Sequence, residues 1–336
     1  MYVFFSKINK IINDLFFFVL KNKKSKKTFQ TITKKYLIKK KDWNLVSKYK
    51  IADEYFFEKK IKFTNLYCDP ITGYFFSKFG NPYILEHHFS KKYMNIKYNF
   101  FLPFFKNKKK VKKGIFFGGH FMENYCHFLF YIYVPILILP KNYTLVFDSR
   151  LLNKKFFKDF LNVIKKERDY ILIDKPTLFE KGLVYQKKYL SKKELDVVEK
   201  NLKKIENKKY KIIYIQRRSK FRNLNYNNEI EIISILKKKF KNIRIINCDK
   251  LSFSKQIEIF SNANILIGTH GADFANMIFG LKNIKKIIEF CHPSFFTGVY
   301  PRLSRLYKIK HFQITGTNSG NNNEFSISLN ELKKKI

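Results

Sequence analysis

The chain has 336 residues, with 68 lysines and arginines against 26 aspartates and glutamates, a formal net charge of +42. That length excludes one small domain and accommodates two ordinary α/β domains with a sizeable core. The charge favours anionic partners such as phosphates, nucleic acid or an acidic membrane face, but the abundance of Lys, Asn, Ile, Phe and Tyr is also what an AT-rich genome encodes, so the lysines alone assign no function.

The longest apolar run near the N-terminus, Leu15 to Leu20, is far shorter than the roughly 18 residues of a spanning helix. Together with Ile11-Ile12 and the basic run Lys21 to Lys27, it reads as an interfacial helix whose lysines meet anionic headgroups, or equally as a helix packed on the protein's own surface. Asn13 and Asp14 interrupt the apolar region, which speaks against a cleaved signal peptide. From Trp43 to Tyr98, aromatic runs such as Tyr55-Phe56-Phe57 and Tyr74-Phe75-Phe76 alternate with turn signals at Asp69-Pro70, Gly73 and Gly80-Asn81-Pro82, predicting a β-rich lead-in of strands and hairpins. Lys106 to Lys113 reads as an exposed linker.

Beyond it the pattern becomes strand, helix, strand. Strands are predicted at Gly114–Phe117, Thr144–Phe147, Tyr170–Ile173 and Leu183–Tyr185, with helices over Tyr125–Leu139 and Leu152–Lys166, making one doubly wound unit. A second unit runs through strand Lys211–Gln216, helix Asn227–Phe240, strand Ile243–Asn247, helix Ser252–Asn262, strand Ile265–Ile267, a helix from Ala272, strand Lys286–Phe290, a helix over Tyr300–Tyr307 and a last strand His311–Ile314. The four cysteines, Cys68, Cys126, Cys248 and Cys291, form neither a CxxC pair nor a zinc spacing, which fits a reducing, cytoplasmic compartment.

The second unit carries the chemistry. In Gly268-Thr269-His270-Gly271 a buried strand passes through a turn into a helix start, where backbone N–H groups approach an anion unobstructed; the same glycines also serve simply as the turn the chain needs. Arg217, Arg218 and Arg222 follow a strand end and suit bidentate phosphate contacts or a solvated basic turn. Glu289 ends a strand where an acidic residue accepts hydrogen bonds from ribose hydroxyls, or forms an ordinary ion pair. Asn228-Glu229 suits a helix start and Gln256 a solvent-facing position.

The runs YIQRRSKFRNLNYNNEIEI, LSFSKQIEIFSNANILIGTHGADFANMIF and IIEFCHP resemble glycosyltransferase family 61, with its motif positions falling on Arg217 or Arg218, Arg222, Asn228, Glu229, Gln256, Ile257, Gly268, His270, Gly271, Ala272, Asn276, Phe279 and Glu289. Asn124 to Leu129 with a later Pro135 matches the family's first element, so the resemblance spans about Gly114 to Gly316. The chain departs from the pattern at Asp273, where the family has glycine, at Tyr131, where it has an acidic residue, and at Pro135, displaced by one position.

The resemblance implies an α/β, GT-B-like arrangement, two facing Rossmann-like domains with the β-rich lead-in. Residues 1–113 and 114–209 form the acceptor side, residues 210–316 the nucleotide-sugar domain, and residues 317–336 a tail. It also implies inversion at the anomeric carbon, transfer from a nucleotide-sugar co-substrate, and a glycan or lipid-linked glycan acceptor in surface polysaccharide synthesis. The sequence has no Asp-x-Asp motif to hold a metal, whereas arginines and a glycine-rich helix start are present, so leaving-group stabilisation without metal or other cofactor is expected. Donor binding falls to Arg217, Arg218, Arg222, Asn228, Glu229, Gln256, Gly268, His270, Gly271, Ala272, Asn276 and Glu289. The acceptor's base is expected at His127, with Glu123 and His120 beside it. Peripheral contact with an anionic, cytoplasmic membrane face is expected, and no specific nucleic acid. Two other readings stand beside this one: a non-catalytic basic protein binding nucleic acid or membrane, and an inactive scaffold that keeps the fold.

Overall fold

The structure, a computed structural model, describes residues 58–78, 82–84, 107, 110–119, 122–164, 167–187, 190–202, 211–216, 225–293, 297–318 and 324–336. They fall into two compact units, one ending at Leu190 and the other running from Ser191 to Ile336. The expected N-terminal helix, Tyr55-Phe56-Phe57 and the Gly80-Asn81 turn lie outside the described residues. Among those described, no helix is long and apolar enough to cross a membrane.

In the first unit, strands β1 (Glu58–Cys68), β2 (Phe75–Phe76), β3 (Pro82–Ile84), β4 (Lys110–Phe117), β5 (Thr144–Asp148), β6 (Tyr170–Ile173) and β7 (Thr177–Lys187) form one mixed sheet in the order β3-β2-β1-β7-β4-β5-β6. Strand β4 runs parallel to β5 and β7. The lead-in is no separate layer, because β1 pairs antiparallel with β7 from Glu58↔Lys187 to Cys68↔Thr177. The short strand expected at Leu183–Tyr185 is therefore the end of a much longer one.

The expected linker is also corrected, since Lys110 to Lys113 lie in β4. Alternation explains why: Val111 is buried, Lys110 and Lys112 are exposed, and Lys113 reaches over the Tyr143 ring at 4.4 Å. A strand can carry a lysine run when its intervening residue enters the core and the long stems keep their charged ends in water. Val111 joins Phe75, Val146, Ile173 and Phe179 in that core.

The helix expected over Tyr125–Leu139 appears in three parts: α1 (Tyr125–Phe128), a π-helical turn (Leu129–Tyr133) and α2 (Val134–Ile138). A proline inside a helix lacks the N–H for the ladder and crowds the carbonyl four residues back, here that of Tyr131. A widened turn before Pro135 accommodates it and takes up one additional residue. The buried Phe128 ring meets Phe156, Phe157 and Phe160, all on α3 (Lys155–Ile164), at 5.0, 6.2 and 5.2 Å.

The second unit is built on β8 (Ile212–Ile215), β10 (Ile243–Ile246), β11 (Ile265–Thr269), β12 (Lys286–Cys291) and β13 (Lys310–Thr315), in the order β10-β8-β11-β12-β13. All four pairings are parallel. Helices α4 (Lys192–Asn201), α5 (Glu229–Lys239), α6 (Phe253–Ser261), α7 (Val299–Leu306) and α8 (Leu329–Lys335) accompany the sheet. The strand order reverses between β8 and β11, and open sheets of this kind bind ligands at the carboxyl ends beside such a reversal.

Two expectations change here. The segment Ala272–Phe279 is a 3-10 helix. Phe274 to Phe279 are all buried, so no exposed face calls for the amphipathic stripe of a surface α-helix. Residues 317–336, read as a tail, supply β14 (Thr317–Asn318), β15 (Glu324–Ser326) and α8, and they bury Phe325, Ile327 and Leu332 against Tyr214, Ile267 and Ile288. Strand β15 pairs with β9 (Asn225–Tyr226).

Gly268 pairs with Ile215 across β11 and β8. Its φ is +155°, and a Cβ there would lie 2.6 Å from the Ile215 carbonyl oxygen and 3.0 Å from Ile215 Cβ. Backbone cannot yield as a flexible side chain does. Gly268→Ala is therefore expected to destabilise the protein by about 1–3 kcal/mol, read by urea unfolding without nucleotide; an unchanged midpoint would show that the strands separate at no cost.

Candidate functional site

At the carboxyl edge of the second sheet, Gly268 pairs with Glu289 and Glu289 with Gln313. Side chains alternate along each strand, so Gly268, His270, Glu289, Cys291, His311 and Gln313 share one face, opposite the apolar face of Ile267, Ile288, Phe290 and Ile314. Glu289 is completely buried. Its Oε1 lies 2.5 Å from His270 Nδ1, and its Oε2 lies 3.0 Å from His311 Nε2 and 2.9 Å from Gln313 Nε2. An ionised carboxylate only accepts, so both imidazoles present N–H to it. Burial by itself would raise the Glu289 carboxyl; the hydrogen bonds it accepts from His270 and His311 overcome it and hold the group at about 2.

Further contacts come from α7. Tyr300 donates its hydroxyl to the Gly271 carbonyl at 2.5 Å and packs its ring 5.4 Å from that of His270, while Ser304 Oγ lies 2.7 Å from His311 Nδ1. The His270 backbone N–H donates to the Phe290 carbonyl at 2.7 Å. His270 is thus fixed through backbone, ring face and Nδ1. Because the two imidazole nitrogens lie on opposite edges, Nε2 points away from Glu289. The buried Thr269 hydroxyl has no hydrogen-bond partner among the described residues.

The other expected donor-side residues separate into two anchors. Gln256 is 4% exposed and does not face solvent. Its amide donates weakly to the Cys248 and Leu251 carbonyls at 3.3 and 3.4 Å, and its oxygen accepts from Asn276 Nδ2 at 2.9 Å. Asn276, wholly buried, also donates to the Asp273 carbonyl at 3.1 Å, tying the 3-10 helix that begins at Ala272 to α6. The second anchor is Asn228, which exchanges two hydrogen bonds with the Ile327 backbone at 2.7 and 3.1 Å. Glu229, in the first turn of α5, accepts from Tyr214 at 3.0 Å and from Gln216 at 3.3 Å.

The structure therefore brings Gly268, His270, Gly271, Ala272 and Glu289 together, and it places Gln256, Asn276, Asn228 and Glu229 as supports. Glu289, expected as a ribose acceptor, is without solvent exposure and has both oxygens engaged by His270, His311 and Gln313. Arg217, Arg218, Arg222 and His120 lie outside the described residues. The sequence reading missed His311, Gln313, Ser304 and Tyr300. A signal for the first two was present, since a lone glutamate in a buried strand must be paired, and His311 and Gln313 are polar residues at same-face positions of the neighbouring strand.

In the first unit, Asn124 caps α1, its side-chain oxygen accepting from the Cys126 N–H at 2.9 Å and the His127 N–H at 3.4 Å. His127 is half-buried, with its ring edge-on to Tyr131 at 5.7 Å. The family's acidic position, one helical turn on, is thus filled by an aromatic contact. Glu123 pairs with Lys154 at 3.1 Å and is largely exposed.

A family model described as Glycosyltransferase 61 matches residues 119–300, more than half of the chain and covering both the His127 helix and the His270–Glu289 pair. Comparison with curated proteins finds no match. The depressed Glu289 carboxyl has a measurable consequence: it stabilises the fold fully above its unfolded value near 4.5, and that contribution disappears as the pH falls through about 2. Glu289→Gln should therefore be less stable than wild type by about 3 kcal/mol above pH 5, with the gap in urea-unfolding free energy closing toward pH 2; a gap independent of pH would contradict an ionised Glu289.

Proposed function

Since this chain belongs to glycosyltransferase family 61 and is a glycosyltransferase, we propose that it moves a sugar, with inversion and without a metal, from a nucleotide-sugar to a glycan or lipid-linked glycan in surface polysaccharide synthesis. The observation that carries the donor half is the buried carboxylate–imidazole pair at the carboxyl edge beside the β8–β11 reversal, where a parallel sheet receives phosphates. In the transfer step, the bond between the anomeric carbon and the diphosphate oxygen breaks with its electron pair leaving on the diphosphate. The acceptor oxygen bonds to the opposite face of that carbon, and its proton passes to a base.

The negative charge arising on the leaving oxygen needs donors aimed at it in advance. His270, held by Glu289 and by the Tyr300 ring, is such a donor. Arg222, with Arg217 and Arg218, supplies the positive charge that the missing Asp-x-Asp motif would otherwise leave to a metal. The base is assigned to His127, on the capped start of α1, with Glu123 as the alternative. The GT-B pairing of two Rossmann-like domains belongs to this same reading, as does work at the cytoplasmic face of a membrane, supported by the aromatic and basic N-terminal sequence.

Calorimetric titration with UDP and GDP, with and without EDTA, tests the donor half: binding should survive chelation, and its loss would overturn the metal-free mechanism. The two halves are separated by mutation. Arg222→Ala should weaken nucleotide binding and slow transfer together, whereas His127→Ala should keep nucleotide affinity and lose about 10²- to 10⁴-fold in single-turnover transfer; normal transfer by His127→Ala would move the base elsewhere.

A further inference from the structure

His311 lies beyond the stretch that matches the family, yet its side chain is only 7% exposed and it takes one oxygen of the carboxylate that holds His270. The chain of contacts runs Ser304 to His311 to Glu289 to His270, at 2.7, 3.0 and 2.5 Å. We propose that His311 is a positioning residue for glycosyl transfer: held by Ser304, it remains neutral and orients Glu289, so that the carboxylate's single charge supports a protonated His270 whose Nε2–H donates to the departing diphosphate. This rests on the reading that the donor's diphosphate sits against His270.

One buried carboxylate compensates one buried cation, and a second imidazolium on the same carboxylate would leave a positive charge unpaired in the interior. Of the two rings, His311 is the one that the surroundings satisfy without an added proton. Its Nε2–H donates to Glu289, and its Nδ1 lone pair accepts from the Ser304 hydroxyl, a group that can donate as readily as accept. His270 stands at the strand end, where a phosphate brings its own negative charge.

The groups facing the trio do not disturb this assignment. Strand β13 contributes Gln313, which donates to the same Glu289 oxygen as His311. Strand β12 contributes Cys291, whose thiol is pushed up by burial and by Glu289 and so stays neutral. Helix α7 contributes Tyr300 and Ser304 through a ring contact and a hydroxyl. No proton need be transferred to the leaving group: the imidazolium keeps its N–H and hydrogen-bonds to the oxygen that receives the electron pair.

The test uses full-length protein labelled with ¹³C at histidine Cε1, the His270 resonance being identified by its loss in His270→Asn. Ring titrations are recorded by NMR for wild type, Glu289→Gln, His311→Leu and His311→Gln, and binding of inorganic pyrophosphate is measured by calorimetry over the same pH range. Glu289→Gln should lower the His270 midpoint by about one pH unit or more, because the neighbouring negative charge is gone. His311→Leu should raise it, because Glu289 loses a competing donor and becomes a better acceptor for His270. His311→Gln, with an amide N–H in reach of Oε2, should return it toward wild type.

General loosening of the site would not move the midpoint in opposite directions. A His311→Leu protein whose His270 midpoint is unchanged or lowered overturns the proposal, and if Glu289→Gln does not fold, the two His311 variants decide it. Midpoints that move as stated, with pyrophosphate affinity indifferent to His270→Asn, uphold the coupling of His311 to His270 and overturn instead the placement of the diphosphate.

Discussion

A carboxylate with no access to water is the constraint on which the second unit depends. Glu289 is tolerated inside because three side chains donate to it, and removing any of them leaves buried charge less compensated than before. The surroundings follow from that requirement. Strand β13 carries His311 and Gln313 on the face toward Glu289, α7 brings Ser304 to His311 and Tyr300 to His270, and Gly268, one strand over, leaves out a side chain where β8 and β11 approach. A polar network of this kind specifies one geometry, since a partial version would be worse than an apolar core.

Around that network four of the recognisable motif residues are braces. Gln256 and Asn276 join two helices through a buried amide pair, Asn228 fixes the last segment of the chain by its backbone, and Glu229 ties the start of α5 to the end of β8. Each satisfies polar atoms that would otherwise be stranded in the interior, which is how a short stretch of backbone at a strand end is held in place. Among the described residues of this unit, those at the carboxyl edge beside the strand reversal are the Thr269–Ala272 turn and the His270 ring.

The first unit shows the same economy with different parts. Arg150 grips Asp148 with its guanidinium and also donates to the Ile71 carbonyl at 3.1 Å, fastening the turn between β1 and β2 to the end of β5. Arg168 donates to the carbonyls of Ile136, Pro140 and Tyr143, a positive charge against the last turn of α2. Between these clamps the helix carrying His127 begins with a cap at Asn124 and widens into a π turn before Pro135. The nominated base therefore stands on an element whose irregularity is built in by a proline.

The sequence by itself determined the alternation of strands and helices in the second unit, the turn at Gly268 to Gly271 and the family, because these reside in local periodicity and short motifs that neighbouring residues express together. It also marked Glu289 and His270 as belonging to one site. What only the tertiary structure decided is everything that depends on partners distant in the chain: that Lys110 to Lys113 form a strand, that the last twenty residues complete a core, that Glu289 is buried against His270, and that His311 and Ser304 join it. The physical reason is that a buried charge must be compensated by whatever the fold brings beside it, and strand neighbours are chosen by the sheet, not by proximity in sequence.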